Sequence, residues 1–511
     1  MDPKKIALSF FILLKFGLQF VAINPVYELH RDEYLHLDLG NHLAWGYLSV
    51  PPVTSWLSFL IISLGNSVFW VKFFPALFGA LIIYFVWKTV EHLGGQLYAL
   101  SLSALCITLS ALLRINTLYQ PNSLDFLLWT ILFYTIIRYV QTHEKKWFWY
   151  AGIAFAFGFL NKYNISFLLL GLIPAILLSK QRHLFLNRNL FGVIGLVVIL
   201  ITPNIWWQYQ NDFPVIWHLS TLSKTQLVHV SRLNFLIDQL LFFVGALFVL
   251  FAGFISFFKF RPFKKYRFLF WSMIFVLCFY SFLRAKSYYA MGLYPIFIGF
   301  GAVYLEHLLA KGWKYKLRPL LLLIPILVII PLFQLLLPVL SPQKIAEKHE
   351  LFQTMGMLKW EDGKNHLIPQ DFADMVGWQE LAGIVDEAFE QVSNKNATLI
   401  HCDGYGMAGS INFYGAQEYT EALTMEADYL NWYPLDQMQI ENVILVKGPW
   451  DDDPERNRER TLFDSVTLIG AVSNEFARDR GTTVYLLSGA KQNINAILKD
   501  EIKKKRQKIN D

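Results

Sequence analysis

The residues best suited to chemistry follow the first apolar run: His30-Arg31-Asp32-Glu33-Tyr34, with His36 and Asp38 close behind. A carboxylate can take a proton from a hydroxyl as that oxygen attacks an electrophilic carbon. Ionisable groups beside membrane segments are costly and tend to mark function. Asp32 is the expected base, and Glu33 is expected to orient the acceptor or support Asp32. An acidic pair here also suits a helix start, where negative charge meets the positive end of the helix dipole. A second candidate acid, Asp125, ends the stretch Gln120-Pro121-Asn122-Ser123-Leu124-Asp125, in which Pro121 and Ser123 equally read as helix-start signals. Three cations, Lys162, Arg284 and Lys286, with Tyr288 beside them, stand at the ends of apolar runs. Arg grips phosphate oxygens bidentately and Lys acts as a point charge, so this group suits a phosphate that gains negative charge as a leaving group departs. Snorkelling is the plainer account of Lys162 taken alone.

The elements that must carry these residues are membrane helices. Of 511 residues, 55% are hydrophobic and only 16% charged, against about 25% charged in an average soluble domain. A span needs about 20 mostly apolar residues. Eleven stretches qualify: 6–23, 68–90, 96–113, 123–140, 147–161, 164–179, 190–209, 234–258, 267–283, 288–309 and 318–340. The fifth and sixth are short and meet at Asn161-Lys162-Tyr163-Asn164, which suggests a hairpin or broken helices. With the N-terminus cytoplasmic, Lys and Arg concentrate in the inside loops, for example Lys145, Lys146, Lys180, Arg182, Arg188, Lys264 and Lys265, as the positive-inside tendency requires. Asp32, Asp125, Lys162, Arg284 and Lys286 then all fall on the extracytoplasmic face. The first run lacks a small-residue cleavage site and reads as a retained helix, in preference to a cleaved signal peptide.

Two domains are expected: residues 1–340 in the membrane, with a first outer loop at 24–67, and a polar extracytoplasmic α/β domain at 341–511. The stretch Val53–Leu64 within that loop is expected to lie on the membrane surface. In the tail, Gly377–Ser393 and Asn493–Arg506 read as helices, and Ala397–Cys402, Val443–Val446 and Thr482–Leu487 as strands. Gly404-Tyr405-Gly406-Met407-Ala408-Gly409 fits a dinucleotide fingerprint with Glu426 downstream. It stands outside the membrane without a full βαβ unit, so a tight strand-to-helix turn is the expected reading. Asp451-Asp452-Asp453 reads as a solvated loop, at most a weak cation site. Cys106, Cys278 and Cys402 are isolated, which leaves neither a disulfide framework nor a CxxC metal site. The net charge of +6 is spread over inside loops and excludes a nucleic-acid patch.

Several stretches in order resemble the bacterial glycosyltransferase family 39, the protein mannosyltransferases and the aminoarabinose transferases of lipid A. They are Arg31-Asp32-Glu33-Tyr34, His42–Tyr47 with Pro51-Pro52, Gln120–Asp125, Gly158–Tyr163, Pro203–Tyr209 and Lys286-Ser287-Tyr288-Tyr289. Asp371-Phe372-Ala373-Asp374 with Gly377-Trp378-Gln379-Glu380 is similar to the tail of the same subgroup. The resemblance implies a polytopic C-type glycosyltransferase fold in the bacterial inner membrane and a polyprenyl-phosphate sugar donor. It further implies a glycolipid, glycan or protein acceptor, inversion at the anomeric carbon, and Asp32 as base. Ser49-Val50 stands where many relatives carry an acid or His before the Pro-Pro, and Asn122 where some carry Asp. No cofactor is therefore called, and a divalent metal has only weak support. A flippase of lipid-linked glycans and a structural assembly protein are the rival readings; a flippase would spread its charges through the bilayer, whereas here they gather at one face.

Overall fold

The computed structural model describes residues 2–21, 23–225, 227–416 and 421–510. The chain forms two compact units: Met1–Ala22, Val50–Val53 and Phe69–Leu337 make one, and Ile23–Ser49, Thr54–Val68 and Pro338–Asp511 make the other. Most of the loop at 24–67 thus shares a unit with the tail.

The first unit is all helix, and the protein is a polytopic membrane protein. Val68–His92, Pro121–Thr142, Asn189–Gln210, Ser287–Leu308 and Gly312–Leu336 are each long and apolar enough to cross a bilayer. Two further pairs qualify only as bent spans, Ile165–Leu177 with Lys180–Leu186 at 112° and Arg232–Leu241 with Val244–Lys259 at 62°. The other expected spans are helical too, but Leu97–Thr108, Lys145–Asn161 and Arg267–Phe282 are only 12, 17 and 16 residues long. The run at 234–258, read from sequence as one helix, breaks at Phe242-Phe243. The carbonyl of Phe242 there accepts the Ala111 N–H at 2.9 Å, an external bond that satisfies the interrupted ladder. Periodicity does not signal such a break, because the apolar run continues without interruption from Leu240 through Phe242 and Phe243 to Leu250.

Small residues set the closest helix contacts. A Cβ built on Gly301 would collide with the Val249 carbonyl, and one on Gly253 would lie 2.5 Å from the Phe297 carbonyl oxygen. The helices Leu247–Lys259 and Tyr294–Leu308 therefore meet backbone to backbone, as small residues permit inside membranes. Phe257, Phe297 and Phe300 fill the space on either side.

The second unit is a mixed five-stranded sheet flanked by helices. The strands are β1 (Thr398–Cys402), β2 (Leu423–Thr424), β3 (Asn442–Lys447), β4 (Phe463–Ala471) and β5 (Thr483–Ala490), in the order β2-β1-β3-β5-β4. β1 pairs parallel with β2 and β3, while β5 runs antiparallel to β3 and β4. Three strands and the two helices expected in the tail agree with the sequence reading. β4 was not expected, and its largely exposed face explains why: an edge strand with little to bury shows no clean alternation. Trp378–Glu390 packs its apolar stripe of Trp378, Leu381, Ala382, Val385 and Phe389 inward. Within Val53–Ser63, Thr54, Ser55 and Ser58 are buried while Phe59 and Leu60 are exposed, an arrangement that suits the expected helix on a membrane surface. In the acidic run, Asp451 and Asp453 are taken up by Arg456, Asn457 and the Arg458 N–H.

Gly301→Val should overpack the helix crossing and destabilise the protein by about 1–3 kcal/mol. The expected result is a lower thermal unfolding midpoint of the purified full chain in detergent.

Candidate active site

The acidic motif forms a short helix, Arg31–Asp38, closed at its start by a reciprocal cap. His30 Nδ1 accepts the Asp32 N–H at 3.2 Å, and Glu33 accepts the His30 N–H at 2.7 Å. Glu33 is fully buried in this role. The cap fixes where the helix begins and so where Asp32, its second residue, points.

Asp32 is the open carboxylate of the group, its side chain 35% exposed. Tyr405 Oη donates to Asp32 Oδ1 at 2.8 Å, and Arg31 Nε stands 3.7 Å from the same oxygen. Burial works to raise the Asp32 carboxyl, but His30 and Arg31, together with the Tyr405 hydrogen bond, outweigh it and hold the group below the usual range. Burial and the adjacent Asp32 push the Tyr405 phenol up, so it remains a donor.

Asp374 anchors the arrangement. Its side chain is 2% exposed, with Arg478 Nη1 at 3.2 Å from both oxygens and Arg31 Nε and His30 Nε2 each at 3.6 Å. The Asp374 carbonyl also accepts the Arg31 N–H at 3.1 Å. Burial pushes this carboxyl up against the pull of Arg31, His30 and Arg478. At the far end of the helix, Asp38 accepts from Asn412 at 2.7 Å and Tyr429 at 2.6 Å. Burial and repulsion from Glu421 raise its carboxyl well above the usual range. Tyr34 is wholly buried among Trp378, Phe413 and Tyr414.

The glycine-rich motif explains itself here. Tyr405–Tyr414 is a helix capped by Gly404 directly after β1, which agrees with the strand-to-helix turn. A Cβ on Gly406 would lie 3.0 Å from Arg31 Cβ, and one on Gly409 2.6 Å from Tyr34 Cβ. These glycines let the two helices touch and bring the Tyr405 hydroxyl to Asp32.

In the first unit, Asp125 is buried and accepts from Trp129 Nε1 at 3.0 Å and Asn164 Nδ2 at 2.7 Å. Asn164 in turn accepts from Tyr280 Oη at 2.5 Å and donates to the Tyr289 carbonyl at 3.1 Å. Lys162 Nζ donates to Asn122 Oδ1 at 2.6 Å and lies 4.3 Å from the Tyr289 ring centre and 5.4 Å from that of Tyr288. Lys286 is close enough to repel Lys162, and it also acts on His218. Burial first and Lys286 second lower the His218 imidazole, which favours its neutral form. Arg284 stands apart: its side chain is exposed, its guanidinium donates to the Val228 carbonyl at 2.9 Å, and its φ is 52°. Thus Asp125, Lys162, Lys286 and Tyr288 gather, and Arg284 does not join them. Among the described residues, no group of three or more His, Cys, Asp or Glu could hold a metal ion.

Residues 49–207 match the model of the family described as dolichyl-phosphate-mannose-protein mannosyltransferase. ArnT from Cupriavidus metallidurans bound to undecaprenyl phosphate is 14% identical, with a TM-score of 0.65 over 94% of this chain and 97% of that one. The same protein in its apo state gives 0.63 at the same identity and coverage. The fold is the C-type glycosyltransferase fold. The resemblance carried by the motifs is borne out at that level. No curated protein matches the sequence.

Sequence reasoning gave no role to Asp374, Tyr405, Asn164 or His218. Asp374 lay in a stretch noted only for its resemblance, Tyr405 inside a motif read as a turn, and Asn164 in the polar break between two apolar runs.

Asp374→Asn should cost about 3 kcal/mol, the low end for a broken buried ion pair, because Arg31 and Arg478 keep 24% and 22% exposure. A fall in the thermal midpoint of the full chain, with faster proteolysis of the 24–49 segment, is the expected measurement.

Proposed function

We propose that the protein is a membrane glycosyltransferase that moves a sugar from a polyprenyl phosphate to a hydroxyl of a glycolipid, glycan or protein on the extracytoplasmic face. One observation carries this reading: Asp32 is part-exposed, with His30, Arg31 and the Tyr405 hydroxyl around it favouring its charged form, on a fold shared with a protein that binds undecaprenyl phosphate.

In this reading Asp32 accepts the proton of the acceptor hydroxyl as its oxygen bonds to the anomeric carbon. The bond between that carbon and the phosphate oxygen breaks, its electron pair stays on the phosphate, and the configuration inverts. Lys162 spends one N–H on Asn122 and retains two for phosphate oxygens. Lys286 adds a second positive charge where the leaving group becomes more negative. Tyr288 lines the phosphate beside Lys162. Asp125 acts as a positioning residue, fixing Asn164 and through it Tyr280 and Tyr289. Glu33 positions Asp32 through the cap. Arg284, exposed at the outer edge, serves the approach of the anionic donor more than its seat.

Asp32→Asn should lower transfer by about 10²–10⁴-fold while leaving binding of polyprenyl phosphate intact; transfer near the normal rate would overturn the assignment. Tyr405→Phe removes one of the influences that depress the Asp32 carboxyl, so the acidic limb of the kcat/KM profile should move to higher pH. Lys162→Met should raise KM for the donor and lower kcat together, which steady-state assays with a defined polyprenyl-phosphate sugar would detect.

A further inference from the structure

At the other end of the helices that carry Lys162 lies a cavity of about 310 Å³, formed by Pro121–Thr142, Lys145–Asn161, Ile165–Leu177 and Asn189–Gln210. Apolar cavities of about 150 Å³ already admit benzene, so this one has room for a segment of hydrocarbon chain. Leu132, Ile136, Phe155, Leu172 and Val193 are typical of its wall. Its few polar atoms lie toward one end. The Tyr139 hydroxyl is engaged by Asn187 Nδ2 at 2.5 Å. The Trp147 indole N–H is buried and meets no acceptor among the described residues, and the same holds for Nε of Arg138. The Arg138 guanidinium lies 5.2 Å from the Trp147 ring centre.

The rim is cationic. The elbow Lys180–Leu186, set at 112° to Ile165–Leu177, supplies Leu184 and Phe185 to the cavity wall. The same elbow and the residues after it carry Lys180, Arg182, His183 and Arg188, all exposed. Lys145 and Lys146 immediately precede Trp147, and Lys146 is paired with Glu144. An apolar slot with the unanswered Trp147 donor in its wall, Arg138 beside that ring and exposed cations on the elbow that lines it is the complement of a molecule with a hydrocarbon tail and an anionic phosphodiester head.

We propose that this cavity binds one anionic glycerophospholipid, with an acyl chain among the four helices and its phosphate at the Arg138, Trp147 and Arg182 end. The polyprenyl donor is a poorer fit. The 17 residues of Lys145–Asn161 separate this rim from Lys162 by about 25 Å at 1.5 Å per residue, so one phosphate cannot serve both ends. The proposal does not depend on which sugar is moved.

Native mass spectrometry of the delipidated full chain tests it, with palmitoyl-oleoyl phosphatidylglycerol and phosphatidylcholine added back separately. One phosphatidylglycerol should bind about tenfold more tightly than phosphatidylcholine. Arg182→Glu with Arg188→Glu should abolish that preference, whereas Lys314→Glu with Lys316→Glu, exposed cations of another loop, should leave it unchanged. Ile173→Trp, which fills the cavity, should weaken both lipids. The proposal fails if the two lipids bind alike, if both charge-reversal pairs act equally (a general basic surface), or if undecaprenyl phosphate displaces phosphatidylglycerol at equal concentration (a carrier site).

Discussion

The carboxylate of Asp374 is the point on which the second unit turns. It is almost fully buried, and a buried charge is tolerable only when paired and hydrogen-bonded. Arg31, His30 and Arg478 supply that pairing, and the Arg31 N–H binds the carbonyl of the same residue. Two of these partners belong to the acidic motif, so the tail's own Arg478 shares the buried charge with the segment that carries Asp32. The α/β tail is thus part of the machinery that sets the orientation of the proposed base.

Acids on one short helix then acquire opposite characters. Asp32 keeps access to solvent and sits beside Arg31 and the Tyr405 hydroxyl, which favour its charged form. Six residues later, Asp38 is buried near Glu421 and tends toward its protonated form. Glu33 between them is used by the cap. Residue type is the same or nearly so at all three positions; environment divides the roles. In the membrane unit, Asp125 is likewise absorbed into a network with Trp129 and Asn164, which leaves Lys162 and Lys286 for the proposed phosphate contacts.

The membrane unit combines tight and loose packing. Where Gly253 and Gly301 face neighbouring carbonyls, backbones touch and no side chain can intervene. Around Leu132, Ile136 and Leu172, by contrast, the four helices leave an apolar slot whose cationic rim invites a lipid. Helices that share one hydropathy profile can therefore do different jobs, and backbone separation decides which.

Much was legible from sequence because it depends on local composition and spacing. Long apolar runs must be helices in lipid, since no water is present to satisfy an open backbone, and each run read as a span is helical. The tail strands at 398, 442 and 483 announced themselves by short apolar segments, and Asp32 by its charged neighbours. Tertiary structure decided everything that rests on residues far apart in the chain. Tyr405 reaches Asp32 across 373 positions, and Arg478 reaches Asp374 across 104. The glycines at 406 and 409 look like a nucleotide motif in isolation and prove to be the small residues that allow that approach. Periodicity reports which face of an element is apolar, but a hydrogen bond between distant segments leaves no periodic trace, so only the folded chain could show which carboxylate stays charged and what holds it in place.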